Sequence, residues 1–303
     1  MCDRSRTNRV WIASALAAVG VCVVLSPTAG AAAKPAGQIA YLAWAEGGWQ
    51  VWTMAPDGSS PKQVTHSSGD KTRISWFPDG KQLLVNGVNG VVSVVDVASG
   101  KETPVELPVQ GAIDAVISPD GQRIAFSLSP AESRDDNEIY LVGVDGKDLR
   151  KLTDMEWLQH QPQWSADGEW LYFLSGDGER DHDIWRQRLD GSRREQLTAG
   201  AYFHFEVAVA PDGRLAYSNN STGDYEVYVQ VPGEGVRGVG EHVGLDGHPS
   251  WSPDGKALII HSMRSGRMNL WRIDLESGQT TQLSDLDPGA RNPVWWHPPE
   301  GSR

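Results

Sequence analysis

Six polar residues that could hold a ligand or a metal ion recur along the chain, each three residues before a position that is most often tryptophan. They are Arg73, Asp114, Gln161, Glu206, His248 and Asn292, with His160 and His204 close to two of them. Carboxylates, amides and imidazoles gathered in one place can bind a peptide or a polar small molecule, and the same atoms can coordinate a divalent metal ion. Two carboxylates such as Asp114 and Glu206 can also act as acid and base.

The residue types at these positions favour binding over metal catalysis. Only one of the six positions is histidine, whereas three well-placed imidazoles would be expected for a transition metal. We therefore predict that the six residues, with His160 and His204, bind a peptide segment or a polar small molecule, and we predict no metal, no cofactor and no catalytic residue. A channel that is polar only because water fills it would show the same pattern, and that alternative stays open.

One short phrase recurs along the chain and marks the structural unit that must position these residues. It reads Trp-Phe-Pro-Asp-Gly at 76–80, has relatives at 117–121, 164–168, 209–213 and 251–255, and has a degenerate copy at 294–298. Successive aspartates of the phrase are 41 to 47 residues apart. A repeat period in the forties is typical of the four-stranded blade of a β-propeller.

Each repeat has the pattern of a four-stranded antiparallel meander. The proline and glycine of the phrase favour a tight turn, because proline fixes φ and glycine accepts a positive φ. In one repeat this turn is followed by apolar residues 171–174, the pair Ile184-Trp185, an Asp-Gly turn at 190–191 and a last strand at 196–198. Four strands in 41 to 47 residues leave no room for a helix.

The number of strands predicts six blades. Five repeats are complete, and they begin near Ile74, Ala115, Pro162, Val207 and Pro249. Residues 39–65 supply three strands without an innermost one, and residues 293–297 supply one innermost strand with nothing after it. The sequence therefore predicts an all-β, six-bladed β-propeller with four antiparallel strands per blade, closed by the C-terminal strand, which completes the N-terminal blade. The six polar residues then surround the mouth of the central channel.

The tryptophans fall into two groups. Trp76, Trp164, Trp251 and Trp295 share one position of the repeat, which favours packing between adjacent blades over ligand stacking. Trp44, Trp49 and Trp157 are placed in loops by the same alignment, and for these three a binding role and a packing role both stay open.

The first 33 residues have the order of a secretory signal peptide. Three arginines precede an apolar run from Val10 to Leu25, and small residues for cleavage follow near Ala31 or Ala33. An uncut membrane anchor is the alternative, but the run is shorter than the roughly 18 to 20 residues that cross a bilayer comfortably. We predict a signal peptide at 1–33, a propeller at 34–303, a periplasmic or secreted location and no membrane span after cleavage.

Charge and cysteine content narrow the partners of the mature chain. Both cysteines, Cys2 and Cys22, lie in the predicted signal, so no disulfide is expected after cleavage. The net charge is −12, of which the signal contributes +2, so the mature chain carries about −14. Nucleic acid binding needs a basic stripe that this chain does not show. We expect a protein or peptide partner in the cell envelope, no nucleic acid, and a monomer.

The phrase Trp-Ser-Pro-Asp-Gly-Lys at 251–256, followed by an apolar strand and Leu-Trp-x-x-Asp at 270–274, resembles the TolB-type propeller repeat. The resemblance covers roughly Gln38 to His297. It implies a six-bladed periplasmic propeller that serves as a docking platform for a peptidoglycan-associated lipoprotein. TolB carries a separate α/β domain ahead of its propeller, whereas here the repeats begin about five residues after the expected cleavage point, so the prediction is a TolB-type propeller without that domain.

Two other propeller families carry similar repeats. Prolyl oligopeptidases add a hydrolase domain with a Gly-x-Ser-x-Gly nucleophile elbow, which this chain lacks. Oligogalacturonate lyases use histidines and a glutamine at a comparable mouth to bind a divalent metal. We interpret the chain as a binding or scaffolding module that acts through its channel mouth. The alternative is a glycan-degrading enzyme, such as an oligogalacturonate-lyase-like protein, working at the same mouth.

Overall fold

Every named strand in the part of the chain that the structure describes belongs to one of six four-stranded antiparallel sheets. The structure is a computed structural model that describes residues 37–129, 137–176, 182–200, 202–240, 242 and 244–297. No helix occurs within those residues. The predicted signal peptide at 1–33 lies outside them and stays a prediction.

The six sheets form the blades, whose strands run in order from the channel outward. Blade 1 contains β24 (Ala290–Trp295), β1 (Ile39–Ala45), β2 (Gly48–Met54) and β3 (Lys62–Gln63). Blade 2 contains β4 (Lys71–Trp76), β5 (Gln82–Gly87), β6 (Val92–Asp96) and β7 (Glu102–Pro104). Blade 3 contains β8 (Ile113–Ile117), β9 (Arg123–Leu128), β10 (Glu138–Gly143) and β11 (Arg150–Lys151).

The second half of the ring repeats this order. Blade 4 contains β12 (Leu158–Trp164), β13 (Trp170–Gly176), β14 (Asp183–Arg188) and β15 (Arg194–Gln196). Blade 5 contains β16 (His204–Val209), β17 (Leu215–Asn219), β18 (Glu226–Val231) and β19 (Gly235–Gly238). Blade 6 contains β20 (Asp246–Trp251), β21 (Ala257–Ser262), β22 (Asn269–Asp274) and β23 (Thr280–Gln282).

The C-terminal strand closes the ring, as the strand count predicts. β24 pairs antiparallel with β1, with Ile39 opposite Trp295 and Ala43 opposite Ala290. The innermost strands contact one another from blade to blade, and β24 contacts β4, so the ring is continuous. Closure leaves no inner sheet edge open to another chain. The predicted six-bladed, all-β fold is therefore confirmed.

The core lies between neighbouring blades, where apolar side chains of adjacent sheets interdigitate. Leu42 and Val51 of blade 1, for example, are fully buried against Ile74 and Leu83 of blade 2. The repeat tryptophans complete these contacts with a hydrogen bond. The indole Nε1–H of Trp76 donates to the Val294 carbonyl of the preceding blade at 3.0 Å.

Two more repeat tryptophans make the same bond across their own blade boundaries. The indole of Trp164 donates to the Val116 carbonyl at 3.3 Å, and that of Trp251 donates to the Ala208 carbonyl at 3.2 Å. A buried indole N–H needs such a partner. The predicted role of these residues in packing between blades is confirmed for Trp76, Trp164 and Trp251.

The placement of two other tryptophans in loops is wrong. Trp44 lies in β1 and Trp49 in β2, directly opposite each other in the ladder. Their rings meet edge to face, with centroids 5.8 Å apart. Aromatic residues are well suited to paired strands, so the local alternation of this hairpin outweighs the alignment to the repeat. Trp157 does lie in a connection, between β11 and β12.

The antiparallel order puts two kinds of connection on one side of the ring, which we call the mouth face. The mouth face consists of the connections from the outermost strand of each blade to the next innermost strand, together with those between the second and third strands. The Pro-Asp-Gly turns lie on the opposite side. Innermost strands begin at the mouth face, so the six polar residues lie near that end of the channel. Nowhere in the described residues is there a helix long and apolar enough to cross a bilayer.

Candidate functional site: a polar ring at the channel mouth

The ring consists of the six predicted residues, one on each innermost strand: Arg73, Asp114, Gln161, Glu206, His248 and Asn292. All except Arg73 have a left-handed backbone, with φ between 52° and 59°. Left-handed φ is uncommon outside glycine and costs about 1 to 2 kcal/mol per residue. Five such residues at one repeat position indicate a built feature of the fold.

A β-bulge produces this conformation. In β12 the register with β13 shifts between His160 and Gln163, so two residues of the inner strand face one residue of its neighbour. Pro162 directly follows Gln161 at the bulge, where the ladder needs no N–H, so proline is tolerated there. The bulge re-aims the ring residue and turns its N–H toward the preceding blade.

Side chains of the ring accept these N–H groups across three successive blade boundaries. The Asp114 carboxylate accepts the N–H of Gln161 at 3.3 Å, the Gln161 amide oxygen accepts that of Glu206 at 2.8 Å, and the Glu206 carboxylate accepts that of His248 at 2.5 Å. Each bond repeats the same geometry one blade further on. The ring residues therefore fasten blades 3 to 6 to one another.

Other side chains complete the circle at the remaining boundaries. The Asn86 amide oxygen accepts the N–H of Ala115 at 2.8 Å between blades 2 and 3. His261 Nδ1 accepts the N–H of Asn292 at 3.4 Å between blades 6 and 1, and the Asn292 amide donates to the Thr72 carbonyl at 2.9 Å between blades 1 and 2. Hydrogen bonds thus link all six boundaries around the channel.

Arg73 is the one cation of the ring and is buried. Its Nη1 lies 3.5 Å from Asp114 Oδ1, and its Nη2 donates to the Pro162 carbonyl across the channel at 3.1 Å. These interactions compensate the free-energy cost of burying the guanidinium. Because the partners lie in blades 3 and 4, Arg73 connects blade 2 to both of them.

Glu206 lies close to two histidines, His248 of the ring and His261 of the neighbouring strand β21. Burial acts to raise the pKa of Glu206, but the His248 and His261 imidazoles and the hydrogen bonds from the His248 N–H and the Ser218 hydroxyl outweigh it, so this pKa is lowered. Burial lowers the pKa of His248 to about 4 and also lowers that of His261. Gly247 leaves room here, since a Cβ would lie 2.8 Å from both Glu206 Oε2 and His261 Nε2.

The two additional histidines take different places. His160 is half-buried beside the ring; its Nε2 lies 3.3 Å from His182 Nδ1, and burial together with His182 lowers its pKa to about 4. His204 is buried at the boundary between blades 4 and 5, where its Nδ1 lies 2.8 Å from the His182 carbonyl and its ring packs on Tyr217. His204 thus begins an innermost strand at the mouth-face end but has almost no exposed surface, and its part in the channel mouth stays a prediction.

The oxygen atoms of three ring side chains are engaged by the backbone. The described residues contain no group of three His, Cys, Asp or Glu side chains placed to hold a metal ion. Asp114, Gln161 and Glu206 instead direct oxygens at backbone N–H groups.

A model of the TolB beta propeller domain family matches residues 86–295 of the chain. The chain belongs to this TolB propeller family. The match spans blades 3 to 6, strands β6 and β7 of blade 2 and strand β24 of blade 1, so it agrees with the resemblance seen in the repeat phrase. The TolB-type fold is thus reached independently from the repeats, from the sheet topology and from the family model.

Two curated relatives match parts of the chain. An uncharacterized protein of Agrobacterium fabrum is 28% identical over 240 residues, covering 74% of this chain and 80% of that protein. A TolB homolog of Chlorobium luteolum is 30% identical over 148 residues, covering 47% of this chain and 33% of its own length. The chain thus spans about a third of that relative.

The crystal structure of TolB from Acinetobacter baumannii superposes with a TM-score of 0.75 at 23% identity, covering 86% of this chain and 67% of that one. At this identity the likeness concerns the fold alone.

Three residues that bond to the ring are not predicted from the repeat. Asn86, Ser218 and His261 lie on second strands, yet each bonds to a ring backbone or side chain. Their signal in the sequence is a polar residue at the end of an otherwise apolar strand. The polar residue can be assigned to the site only when the structure shows that the bulge places a ring residue opposite it.

Apolar side chains surround the ring on the mouth face. Eight large hydrophobic residues of the described chain are exposed, and seven of them lie on this face: Trp44, Val88, Val91, Ile113, Trp157, Tyr202 and Met263. The eighth, Val236, lies on the outer strand β19. Exposed apolar residues gathered on one side of a protein mark an interaction surface more often than scattered ones do.

Proposed function

We propose that this chain is an exported propeller that binds a protein or peptide partner through its mouth face, with the polar ring as the floor of the site. The observation that carries the proposal is the concentration of seven of the eight exposed large hydrophobic residues on that face. Protein interfaces combine apolar and aromatic contacts with a polar surround. The mouth face has both, and its innermost part is held rigid by the hydrogen bonds between blades.

The charge of the mouth face favours a basic partner. Among described residues its connections carry eight carboxylates, namely Glu46, Asp70, Glu106, Asp154, Glu156, Asp224, Asp285 and Asp287, against the two arginines Arg264 and Arg267. Opposite charge on a partner speeds encounter and excludes acidic competitors. A lysine-rich or arginine-rich protein surface therefore fits this face better than an acidic one.

The bonding of the ring supports a binding role over acid–base catalysis. Glu206 Oε2 already accepts from both the His248 N–H and the Ser218 hydroxyl. The lowered pKa of Glu206 makes it a weak base, and a general base works best with a pKa near the working pH. Asp114 is engaged by Arg73 and by the Gln161 N–H.

The proposed location follows from the predicted signal peptide. Cleavage after Ala31 or Ala33 would release the propeller into the periplasm or the medium. N-terminal sequencing of the protein recovered from those fractions tests this directly. An intact Met1 on protein retained in the cytoplasm would reject export.

The binding proposal is tested at exposed positions, because substitution of Asp114 and Glu206 would also break the bonds between blades. The mouth variant carries Ile113→Ser, Tyr202→Ser and Met263→Ser, and the control carries Val236→Ser at the exposed hydrophobic residue away from this face. Tagged proteins are used to capture partners from envelope extract of the producing cells. Exposed substitutions of this kind are expected to change stability by about 0.5 kcal/mol or less each.

The expected result is a protein retained by the wild type and by the Val236 control and lost with the mouth variant. Equal retention by all three proteins would place binding elsewhere on the molecule. No retention by the wild type would reject a stable envelope partner. Thermal melting of each variant distinguishes loss of binding from loss of folding.

A further inference from the structure

Trp157 is exposed and has a strained backbone on the mouth face. Its φ is +75°, and 55% of its surface is accessible to solvent. A bulky residue at positive φ is a genuine outlier, and exposure of an indole forgoes the stabilisation that its burial would give. Trp157 therefore contributes neither backbone stability nor core packing to the fold. Strain of this kind is concentrated at ligand-binding and catalytic sites.

A buried glutamine holds Trp157 in this conformation. Gln159 is fully buried, and its side-chain amide donates to the Trp157 carbonyl and, at 3.2 Å, to the Glu156 carbonyl. Its own N–H donates to the Asn137 carbonyl of the preceding blade at 2.8 Å. The hydrogen bonds of Gln159 thus fix the backbone of the connection before β12. They hold the indole of Trp157 in an exposed position.

A row of aromatic rings in contact begins at His160 and crosses the boundary between blades 4 and 5. His160 lies three residues after Trp157, and its ring centroid is 4.8 Å from that of His182. His182 contacts Phe203 and Phe205 at 5.2 and 5.7 Å. Phe205 in turn contacts Tyr225 at 5.4 Å. We call these five residues with Trp157 the aromatic strip.

Acidic residues flank the start of the strip. Glu156 and Asp154 are exposed on the same connection as Trp157. Asp154 pairs with Lys151 at 2.8 Å, whereas Glu156 makes no ion pair with any residue that the structure describes. A cation placed against the indole face would be stabilised by a cation–π contact with the ring and by an ion pair with the Glu156 carboxylate.

We propose that Trp157 is the anchor for an extended peptide segment in which a lysine or arginine stands beside apolar residues. The cation lies against Trp157 and is paired by Glu156, and the apolar residues lie along the aromatic strip. Tryptophan is enriched among the few residues that carry most of the energy of protein interfaces. This inference rests on the proposed function and specifies its partner. The acidic surround favours a basic peptide over a neutral or acidic glycan.

The test is selection of binders from a displayed library of random twelve-residue peptides on the wild-type protein. The enriched peptides are then synthesised and titrated against the wild type, the mouth variant, Trp157→Gly, Trp157→Phe, Glu156→Gln and Val236→Ser. Oligogalacturonides and peptidoglycan fragments are titrated in parallel as glycan probes.

The enriched peptides are expected to contain lysine or arginine next to apolar residues and to bind Trp157→Gly at least tenfold more weakly than the wild type. Trp157→Phe and Glu156→Gln are expected to bind these peptides only about two- to fivefold more weakly than the wild type. Val236→Ser is expected to bind them with unchanged affinity. Glycine accepts the positive φ, so Trp157→Gly is also expected to keep or raise the melting temperature, by up to about 2 to 4 °C. Loss of binding without loss of stability separates an anchor from a structural tryptophan.

Three outcomes would overturn the inference: no enriched peptide, enriched peptides that bind Trp157→Gly as well as the wild type, or binding of glycans and not of peptides. If peptides bind and are lost with the mouth variant but not with Trp157→Gly, this inference fails while the proposed function stands. If neither peptides nor envelope proteins bind, both fail.

Discussion

The Glu206 carboxylate accepts the backbone N–H of His248 at 2.5 Å across the boundary between blades 5 and 6. His248 has a left-handed backbone with φ of 52°, and this conformation directs its N–H toward the preceding blade. A residue that the sequence alone presents as a candidate ligand therefore also holds the ring together. Substitutions in the ring must be interpreted with this structural role in mind.

We expect Glu206→Ala to destabilise the protein by about 2 kcal/mol, because it removes a hydrogen bond to a charged acceptor and leaves the His248 N–H without its partner. Glu206→Gln retains an acceptor oxygen and is expected to cost less. Chemical denaturation of both variants measures the difference. Equal stability of Glu206→Ala and the wild type would show that this bond contributes nothing.

Asn292 tests the cost of the left-handed backbone, since its φ is 52°. Asn292→Gly and Asn292→Val both lose the amide bond to the Thr72 carbonyl. Valine resists positive φ whereas glycine accepts it, so the valine variant is expected to be less stable than the glycine variant by about 1 to 2 kcal/mol. Similar melting curves for the two variants would argue against the left-handed conformation at this position.

Glu226 is a buried carboxylate whose expected partner is missing. In four other blades a residue in the first half of the third strand bonds to a hydroxyl that follows the outermost strand; the Thr153 hydroxyl, for example, donates to Glu138 at 2.6 Å. The equivalent residue in blade 5 is Gly240. Burial, followed by the nearby Asp246 carboxylate, raises the pKa of Glu226 to about 7.

The surroundings of Glu226 determine how stability depends on pH. Arg264 pairs with Asp246 and donates to the Gly240 carbonyl at 2.8 Å, while His242 and Asp224 also face Glu226. A carboxyl whose folded pKa lies above its unfolded value binds more protons in the folded state. Its ionisation therefore lowers stability progressively from about pH 4.5 to above pH 7.

We expect Glu226→Gln to remove this part of the pH dependence, because the amide carries no charge. The melting temperature of the wild type should fall relative to that of the variant between pH 5 and pH 8. Thr153→Val in blade 3 serves as the comparison, since it should destabilise at both pH values. Parallel pH profiles for the wild type and Glu226→Gln would contradict the raised pKa.

The sequence determines most of the fold because the repeat combines a tight turn with alternating strands. The phrase at 251–255 and its relatives indicate the blades, and the lone strand at 293–297 indicates how the ring closes. The hairpin of Trp44 and Trp49 could not be placed in this way, because blade 1 is assembled from both ends of the chain and its β1–β2 connection is unusually short.

The candidate site was only partly predictable. Polar residues at the six ring positions are visible in the repeat, but the bulge that gives Gln161 and Glu206 their left-handed backbones depends on pairing with the second strand. The burial of His204 also depends on that register, since it follows from the contact with Tyr217. The strain at Trp157 arises from the buried Gln159 clamp, which no local pattern reveals.

Site-specific photo-crosslinking in the producing cells tests the central claim most directly. A photoreactive phenylalanine analogue replaces Tyr202 on the mouth face or Val236 on the outer strand, both of which are exposed. The account predicts a discrete crosslinked protein from position 202 and none from position 236. No adduct at 202, or the same adduct at both positions, would contradict a partner bound at the mouth face.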